Sequence, residues 1–502
     1  MINNEPINSS IPLYTAQQVR MLDQAATDEA GIQGHVLMTR AGEAVWNFLH
    51  RHWPDARSIV VACGIGNNGG DGYVVARLAH ESGCQSRVIE LGDTGRLTGD
   101  ALRARNDWLA AGGEAHGYDE KCLARADVIV DALLGTGLER PLEGEWRAVV
   151  EAINRAPTPV LAIDIPTGLH ADTGAVLGVS VRACHTVTFI GRKQGLYTSD
   201  GPQYAGTVTF TDLHVPASVY RQTLPAAQLL RDPPLGRLAR PRTRTAHKGD
   251  HGRLLVVGGE SGMQGAVQLA GMAALRVGTG LVSIATRPEH AAMIAAANPE
   301  LMSHGVAGAG DLAELLKRAG IVIVGPGLGQ SRWAQELFAA VLDTDLPLVV
   351  DADALNLLAR EPGIRDNWVL TPHPGEAGRL LKISARDVQT DRFAAASALA
   401  RDYGGTVVLK GAGTLVSGAA DTVTVCAVGN PGMATAGMGD VLSGVIAGLA
   451  AQGLGLRQAA LAGVCVHGIA GDRAALAGER GMTAGDVINA LRVVMEAEGE
   501  SG

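Results

Sequence analysis

Short apolar runs recur through the first half of the chain: Ser58-Ile-Val-Val-Ala-Cys63, Arg87-Val-Ile-Glu-Leu91, Val128-Ile-Val130 and Val160-Leu-Ala-Ile163. Each is too short for a helix and rich in β-branched residues, and stretches with helical spacing separate them. Continuously apolar strands alternating with helices predict a parallel sheet covered on both faces. Ahead of the first strand, Thr15 and Gln18 form a capping-box pattern that Val19 and Leu22 continue, so a helix is expected there.

The rhythm lapses between Pro216 and about Lys248, where Pro225, Pro233, Pro234 and Pro241 fall among Arg231, Arg237, Arg240, Arg242 and Arg244. This run predicts a solvated linker over residues 224–246, with a phosphate-binding arm as the less favoured alternative. Strand-like runs resume at Arg253-Leu-Leu-Val-Val257, Ile321-Val-Ile-Val324, Pro347-Leu-Val-Val350 and Thr406-Val-Val-Leu409, so residues 1–223 and 247–502 are expected to form two α/β domains. No motif repeats at a fixed period between the halves, which are therefore expected to do different jobs.

Composition narrows the partners. A chain of 502 residues exceeds one core at roughly 150 residues per domain. With 66 glycines but only 4% aromatic residues, it suits tight strand-to-helix turns and lacks the rings that stack on bases. A net charge of -9 also argues against nucleic acid. The six cysteines lack CxxC spacing, which predicts neither zinc nor disulfides and fits a reducing cytoplasm. The polar start through Pro12 and the lack of a long apolar run predict no leader and no membrane span.

Candidate chemistry collects at the strand ends. Cys63-Gly64-Ile65-Gly66-Asn67-Asn68-Gly69-Gly70-Asp71-Gly72 follows a strand and precedes Tyr73–Leu78, which reads as a helix. The position suits a phosphate or dinucleotide; Asn67 and Asn68 interrupt the usual GxGxxG and add amides that can ligate a cation or hold a polar ring. Asp131 and Asp164 each close an apolar run, at the rim where open α/β sheets bind ligands, although either alone reads equally as a turn cap. Gly135-Thr136-Gly137-Leu138-Glu139-Arg140-Pro141 adds a glycine turn with a basic residue, and Ile165-Pro166-Thr167-Gly168 turns the chain after Asp164.

In the second half, Gly258-Gly259, Gly325-Pro-Gly-Leu-Gly329, Asp351-Ala-Asp-Ala-Leu-Asn356, Thr371-Pro-His-Pro-Gly-Glu376 and Lys410-Gly411-Ala412-Gly413-Thr414 fall at predicted strand ends. Asn430-Pro-Gly-Met-Ala-Thr-Ala-Gly-Met-Gly-Asp440 leads into a helix marked by Val441, Leu442, Val445, Ile446 and Leu449, whose free N–H groups attract an anion. There Gly437 and Gly439 admit an oxyanion, and Asp440 is suited to take a proton from a hydroxyl nucleophile. Lys410 can neutralise a phosphate, while Asp351, Asp353 and Glu376 can organise magnesium directly or through water. Taken singly, His373 reads as a loop histidine, Lys410 as a solvated strand end, and Asp353 and Asp440 as helix caps.

The motifs GxGNNGGDG, D-x-x-x-GTGLxRP and DIPTG, over about Tyr14 to Leu213, resemble the NAD(P)H-hydrate epimerase domain, which implies a Rossmann-like α/β/α fold. The resemblance implies that Asn67, Asn68, Gly69, Gly70 and Asp71, with Gly135 through Pro141, hold the hydrate, and that Asp164 lies beside the reacting ring. It also implies a potassium ion on Asn68, Asp131 and Thr167, threonine standing where the family often has serine.

From about His247 to Met495 the ordered series HKGDHGRLLVVGG, Gln264-Gly-Ala266, GPGLG, DADALN, TPHPGE, KGAGT and NPGMATAGMGD resembles the ribokinase-like superfamily, and within it the ADP-dependent NAD(P)H-hydrate dehydratases. That resemblance implies hydrate contacts from Ala266, Gly327, His373 and Asp440, and a nucleotide held by Lys410, Gly411, Ala412, Gly413, Thr414 and Gly439. Magnesium is implied as companion, and ADP as the co-substrate that becomes AMP and phosphate. Together the two resemblances imply a cytoplasmic isomerase and lyase that interconverts the (R)- and (S)-hydrates of NADH and NADPH and dehydrates the (S)-form, expected as a homo-oligomer. The alternatives are a ribokinase-like small-molecule kinase with an accessory Rossmann-like module, and an N-terminal half that binds without catalysing.

Overall fold

The structure is a computed structural model that describes residues 10–239 and 242–497. The start through Ser9, Arg240 and Pro241 of the proline-rich run, and residues 498–502 lie outside the described residues. Two compact units emerge, one of residues 12–227 and one of residues 228 onward joined by residues 10 and 11.

The first strand among the described residues is β1 (Ser10–Leu13), an edge strand of the second sheet. The first sheet contains β2 (Ser58–Cys63), β3 (Gln85–Glu90), β4 (Ala115–His116), β5 (Val128–Ala132), β6 (Val160–Ile163), β7 (His185–Phe189) and β8 (Thr207–Thr211). All neighbours are parallel, in the order β4-β3-β2-β5-β6-β7-β8. The order reverses between β2 and β5, which opens a crevice beyond their C-terminal ends. The expected capping box is formed: Thr15 Oγ1 accepts from Gln18 N at 3.2 Å and Gln18 Oε1 from Thr15 N at 3.0 Å, starting the helix Ala16–Asp28.

One helix begins earlier than the sequence pattern indicates. It spans Asn67–Glu81, so Asn67 through Gly72 form its opening turns and do not precede it. The glycines explain this: a β-carbon at Gly69 would lie 2.0 Å from the Gly64 carbonyl oxygen, and one at Gly72 2.6 Å from Ala132. Bare backbone lets the helix press its N-terminus onto the rim of β2 and β5.

The second sheet adds β9 (Ala227–Leu230), β10 (Arg253–Val257), β11 (Leu281–Thr286), β12 (Met302–Gly305), β13 (Ile321–Val324), β14 (Leu348–Val350), β15 (Trp368–Leu370), β16 (Thr406–Leu409), β17 (Thr414–Gly418) and β18 (Val423–Cys426). Its order is β1-β9-β18-β17-β16-β15-β14-β13-β10-β11-β12. From β16 to β12 every pair is parallel, while β17 pairs antiparallel with β16 and β18. The strand β9 falls inside the stretch 224–246 read as a linker. Four residues without alternation, flanked by prolines, carry too little pattern to announce a strand.

The helix Met438–Ala451 packs on the helix Gln264–Arg276 within the largest apolar core of this unit. Gly444 and Gly448, one turn apart, make the contact possible: β-carbons there would approach the Ala270 carbonyl oxygen to 2.1 Å and Val277 to 2.7 Å. Among the described residues no helix is long and apolar enough to cross a membrane. Gly444→Ala is expected to lower the unfolding free energy by about 1–3 kcal/mol through overpacking, measured by denaturant titration; an unchanged midpoint would show that the two helices can separate freely.

Candidate active sites

At the crevice of the first unit lies a cavity of about 1620 Å³, well above the ~300–1,000 Å³ of ordinary small-ligand pockets. The helix Ala16–Asp28 lines it with Arg20, Asp23 and Gln24, the glycine turn with Asn67, Asn68 and Asp71, and the next turn with Gly135 through Pro141. The sequence-predicted hydrate residues of this unit, excepting Gly69 and Gly70, therefore share one lining with Asp164. Those two glycines are buried beneath it, in the helix that the lining residues begin.

Asp164 adopts φ 66°, a left-handed backbone that non-glycine residues rarely take, which marks a position held by its surroundings. Its Oδ1 accepts from Phe189 N at 3.2 Å, from Thr188 Oγ1 at 3.3 Å and from the buried Lys193 ammonium. Lys193 also donates to the Phe189 carbonyl and to Thr188 Oγ1. Burial, with the nearby Asp164 and Asp23 charges, pushes Asp71 well above the ordinary carboxylate range.

The oxygen cluster proposed for a cation is assembled in part. Asp131, fully buried, accepts from Thr167 N at 2.8 Å, Thr167 Oγ1 at 2.7 Å and Leu133 N at 3.3 Å. Thr167 Oγ1 also accepts from Leu134 N at 2.9 Å, and a β-carbon on Gly135 would lie 3.5 Å from the Asn68 side-chain carbon, so Thr167 and Asn68 meet the same turn. Burial lifts Asp131 to about 6 against these hydrogen bonds. Asn68 Nδ2 is buried without a partner. An oxygen-only donor set around a buried carboxylate fits a hard monovalent cation.

In the second unit, Gly258, Gly325, Asp351, Thr371 and Lys410 each directly follow a parallel strand, which places them on one rim. Lys410 Nζ is 2.8 Å from Asp351 Oδ1 and 3.8 Å from Glu376 Oε2, and Ser443 Oγ donates to Asp351 Oδ2 at 2.7 Å. A β-carbon on Gly439 would lie 3.2 Å from Lys410 Nζ, so the predicted nucleotide residues Gly439 and Lys410 face one another. Ala266 and Gly327 are likewise neighbours, at 3.3 Å by the same measure.

Electrostatics tie this rim together. Burial first, then the Asp351 charge, raises Asp440 to about 7 despite Lys410. Glu376 rises to about 7 for the same leading reason. Burial opposes the charge on Lys410, but Asp351 and Glu376 outweigh it and raise its pKa. His373 caps the helix Pro374–Leu381, its Nδ1 accepting from Gly375 N at 2.9 Å, and burial with Lys410 lowers its pKa. Among the described residues no three His, Cys, Asp or Glu side chains converge on one metal position. Direct chelation by Asp351, Asp353 and Glu376 together is therefore not what this geometry offers. Magnesium ordinarily needs only one or two carboxylates beside water and phosphate oxygens, and that lesser demand fits.

Several residues escaped the sequence reading. Lys193 lies in no motif, and only its placement after β7 could have hinted at Asp164. Arg392 is fully buried and donates to the carbonyls of Leu409 at 3.1 Å and Lys410 at 3.3 Å, bracing the turn that continues through Thr414. Glu260 pairs with Arg287 and Ser331, whose hydrogen bonds draw it down to about 2, and it lies against Gly329 of the GPGLG turn.

A family model described as YjeF-related protein N-terminus matches residues 34–195, and one described as NAD(P)H-hydrate dehydratase matches residues 254–492. The chain is 49% identical over 484 residues to the bifunctional NAD(P)H-hydrate repair enzyme of Coxiella burnetii, covering 96% of this chain and 99% of that protein. It is 42% identical over 498 residues to the Escherichia coli protein of the same name, covering 99% and 96%. A crystal structure of a ribokinase-like superfamily protein from Enterococcus faecalis superposes with a TM-score of 0.50 at 26% identity, over 54% of this chain and 96% of that one.

Proposed function

The chain belongs to the bifunctional NAD(P)H-hydrate repair enzymes, and on that premise we propose how its residues divide the two reactions, isomerisation in the first unit and lyase chemistry in the second. The observation that carries the reading is that in each unit a carboxylate, Asp164 or Asp440, stands among glycine-rich turns near the C-terminal ends of the parallel strands of its sheet.

In the first unit the cavity holds the hydrate of NADH or NADPH. Asn67, Asn68 and Asp71 with Gly135 through Pro141 surround it, and Asp164 moves protons at the carbon bearing the hydroxyl. The ring nitrogen supplies electrons as hydroxide departs, and water returns on the other face. Asp131, Thr167 and Asn68 would hold potassium, which would supply positive charge beside the substrate.

In the second unit Ala266, Gly327 and His373 position the (S)-hydrate, and Lys410 through Thr414 with Gly439 position ADP. Asp440 accepts the proton as the ring hydroxyl attacks the terminal phosphoryl group, and the amides at the start of the helix Met438–Ala451 stabilise the phosphate in flight. The phosphate then departs with the former hydroxyl oxygen, driven by the ring nitrogen, and loss of a ring proton restores the dihydronicotinamide. AMP and phosphate are the other products. Asp353 and Glu376 are the carboxylates that would help hold magnesium, which would screen the phosphates. The six cysteines, all free thiols, suit this role in a reducing cytoplasm.

Mixed hydrate epimers supplied with ADP or ATP test the reading. The wild type should recover the full reduced-cofactor absorbance. Asp164→Asn should fall at least ~100-fold in epimerisation and stall after the (S)-share, and Asp440→Asn should recover none. A phosphorylated product accumulating in place of reduced cofactor would establish the kinase alternative instead.

The pH dependence of dehydration follows from Asp440. Its base form is populated above about 7 and lost as pH falls through that value, because burial and Asp351 raise its pKa. At saturating nucleotide, kcat should therefore rise with pH through about 7 and decline on the acid side. A flat profile across neutrality would remove Asp440 as the base.

A further inference from the structure

An epimerisation that proceeds by loss and return of water presents a geometric demand. The departing hydroxyl needs a proton on one face of the ring, and the incoming water needs a proton acceptor on the other. Each transfer requires a group within roughly 2.6–3.2 Å, so one side chain cannot serve both faces of a ring at once. Enzymes that invert a sugar carbon meet the same demand with two carboxylates on opposite sides.

Asp164 satisfies one half. It sits on the sheet rim, its carboxylate fixed by Lys193, Thr188 and the Phe189 amide. The helix Ala16–Asp28 also lines this cavity, and Asp23 is a partly buried carboxylate on it. Asp23 shares the field of Lys193 and Asp164 and that of Asp71. Tyr220, whose hydroxyl donates to the Ile190 carbonyl, also feels its charge. On its own helix Arg20 and Gln24 line the cavity beside it. The Thr27 hydroxyl donates to the Asp23 main-chain oxygen, and among the described residues no group donates to the carboxylate itself. A carboxylate placed in a substrate cavity without a structural partner has its oxygens available to a ligand. Asp71 is the other carboxylate in the same lining, on the helix Asn67–Glu81.

We propose that Asp23 is the second proton-transfer residue of the epimerase, giving a proton to the departing hydroxyl on one face of the ring while Asp164 receives one from incoming water on the other. The inference rests on the reading of this cavity as the hydrate site and of Asp164 as its proton carrier. The carbon–oxygen bond breaks, its electron pair stays with oxygen, and the Asp23 proton converts the departing hydroxyl to water. The ring nitrogen lone pair forms a carbon–nitrogen double bond. Water adds on the opposite face, that pair returns to nitrogen, and the surplus proton passes to Asp164. Nothing is oxidised or reduced. The roles exchange when the other epimer reacts, and the cavity water restores the starting proton distribution. Burial, moderated by Lys193 and reinforced by Asp164, raises Asp23 to about 6, so a protonated fraction persists near neutrality.

The full-length protein without nucleotide, in which dehydration cannot proceed, allows epimer ratios to be followed by chromatography for Asp23→Asn, Asp23→Glu and Asp164→Asn. Asp23→Asn is expected to lose at least ~100-fold in kcat with KM changed only a few-fold, while Asp23→Glu, which keeps the acid, retains at least ~10-fold more activity than Asp23→Asn. Wild-type turnover in Asp23→Asn beside an inactive Asp164→Asn overturns the inference alone. Equal losses in Asp23→Asn and Asp23→Glu, or a loss carried entirely by KM, also overturn it, since both indicate a packing or binding role. Wild-type turnover in Asp164→Asn overturns the cavity reading on which the inference stands.

Discussion

An excess of carboxylates around a single lysine is the constraint on which both candidate sites depend. In the first unit Asp23, Asp71 and Asp164 surround Lys193; in the second Asp351, Glu376 and Asp440 surround Lys410. Two like charges 4 Å apart repel by about 4 kcal/mol at an effective dielectric of ~20, so one ammonium cannot satisfy three anions. Burial first, and the unsatisfied neighbouring charges after it, raise these carboxyl groups towards neutrality: Asp23 to about 6, and Glu376 and Asp440 to about 7. A carboxyl group poised there can give and take protons, whereas an ordinary surface aspartate is almost wholly ionised.

Parallel strands create the crowding. Each one ends at the same rim, and the first residue beyond it, such as Asp164 or Asp351, inherits that position whatever its charge. The glycines then determine how near the backbone can come. Gly72 seats its helix against β2 and β5, while Gly444 and Gly448 let the helix that carries Asp440 press on the helix Gln264–Arg276. Packing and chemistry are thus one problem: without the close approach, the helix N-termini would stand too far from the rim to share its field.

The alternation of apolar runs and turns was enough to read two α/β units and the rims that bear their motifs. Local chemistry singled out Asp164 and Lys410, because each directly follows a strand, and Asp440, because it stands in a glycine-rich turn that opens a helix. Lys193 stayed hidden because its meeting with Asp164 is made in space, across β7, with no spacing rule to announce it. Arg392 stayed hidden because a buried arginine that donates to main-chain carbonyls leaves no partner residue in the sequence. The start of the helix at Asn67 was missed since glycines ordinarily argue against a helix interior, and here tertiary contact overrides that propensity. The strand β9 was masked by prolines and arginines whose pattern belongs to a linker.

Charge surplus also bears on the cations proposed for both reactions. A hydrated dinucleotide brings a pyrophosphate, and ADP brings more negative charge, to rims that are already anionic. Lys193 and Lys410 are engaged by Asp164 and Asp351, so neither lysine is available as an independent counter-charge. Helix N-termini at Asn67 and Met438 supply partial positive charge, worth only about 0.3–1 kcal/mol in exposed settings. The proposed ions would make up the balance. The proposed potassium beside Asp131 and the proposed magnesium on the nucleotide answer the same electrostatic deficit. They differ in kind because Asp131 is fully buried and held by hydrogen bonds from Thr167 and Leu133, while the second rim offers separate carboxylates that a small, hydrated ion would join to phosphate.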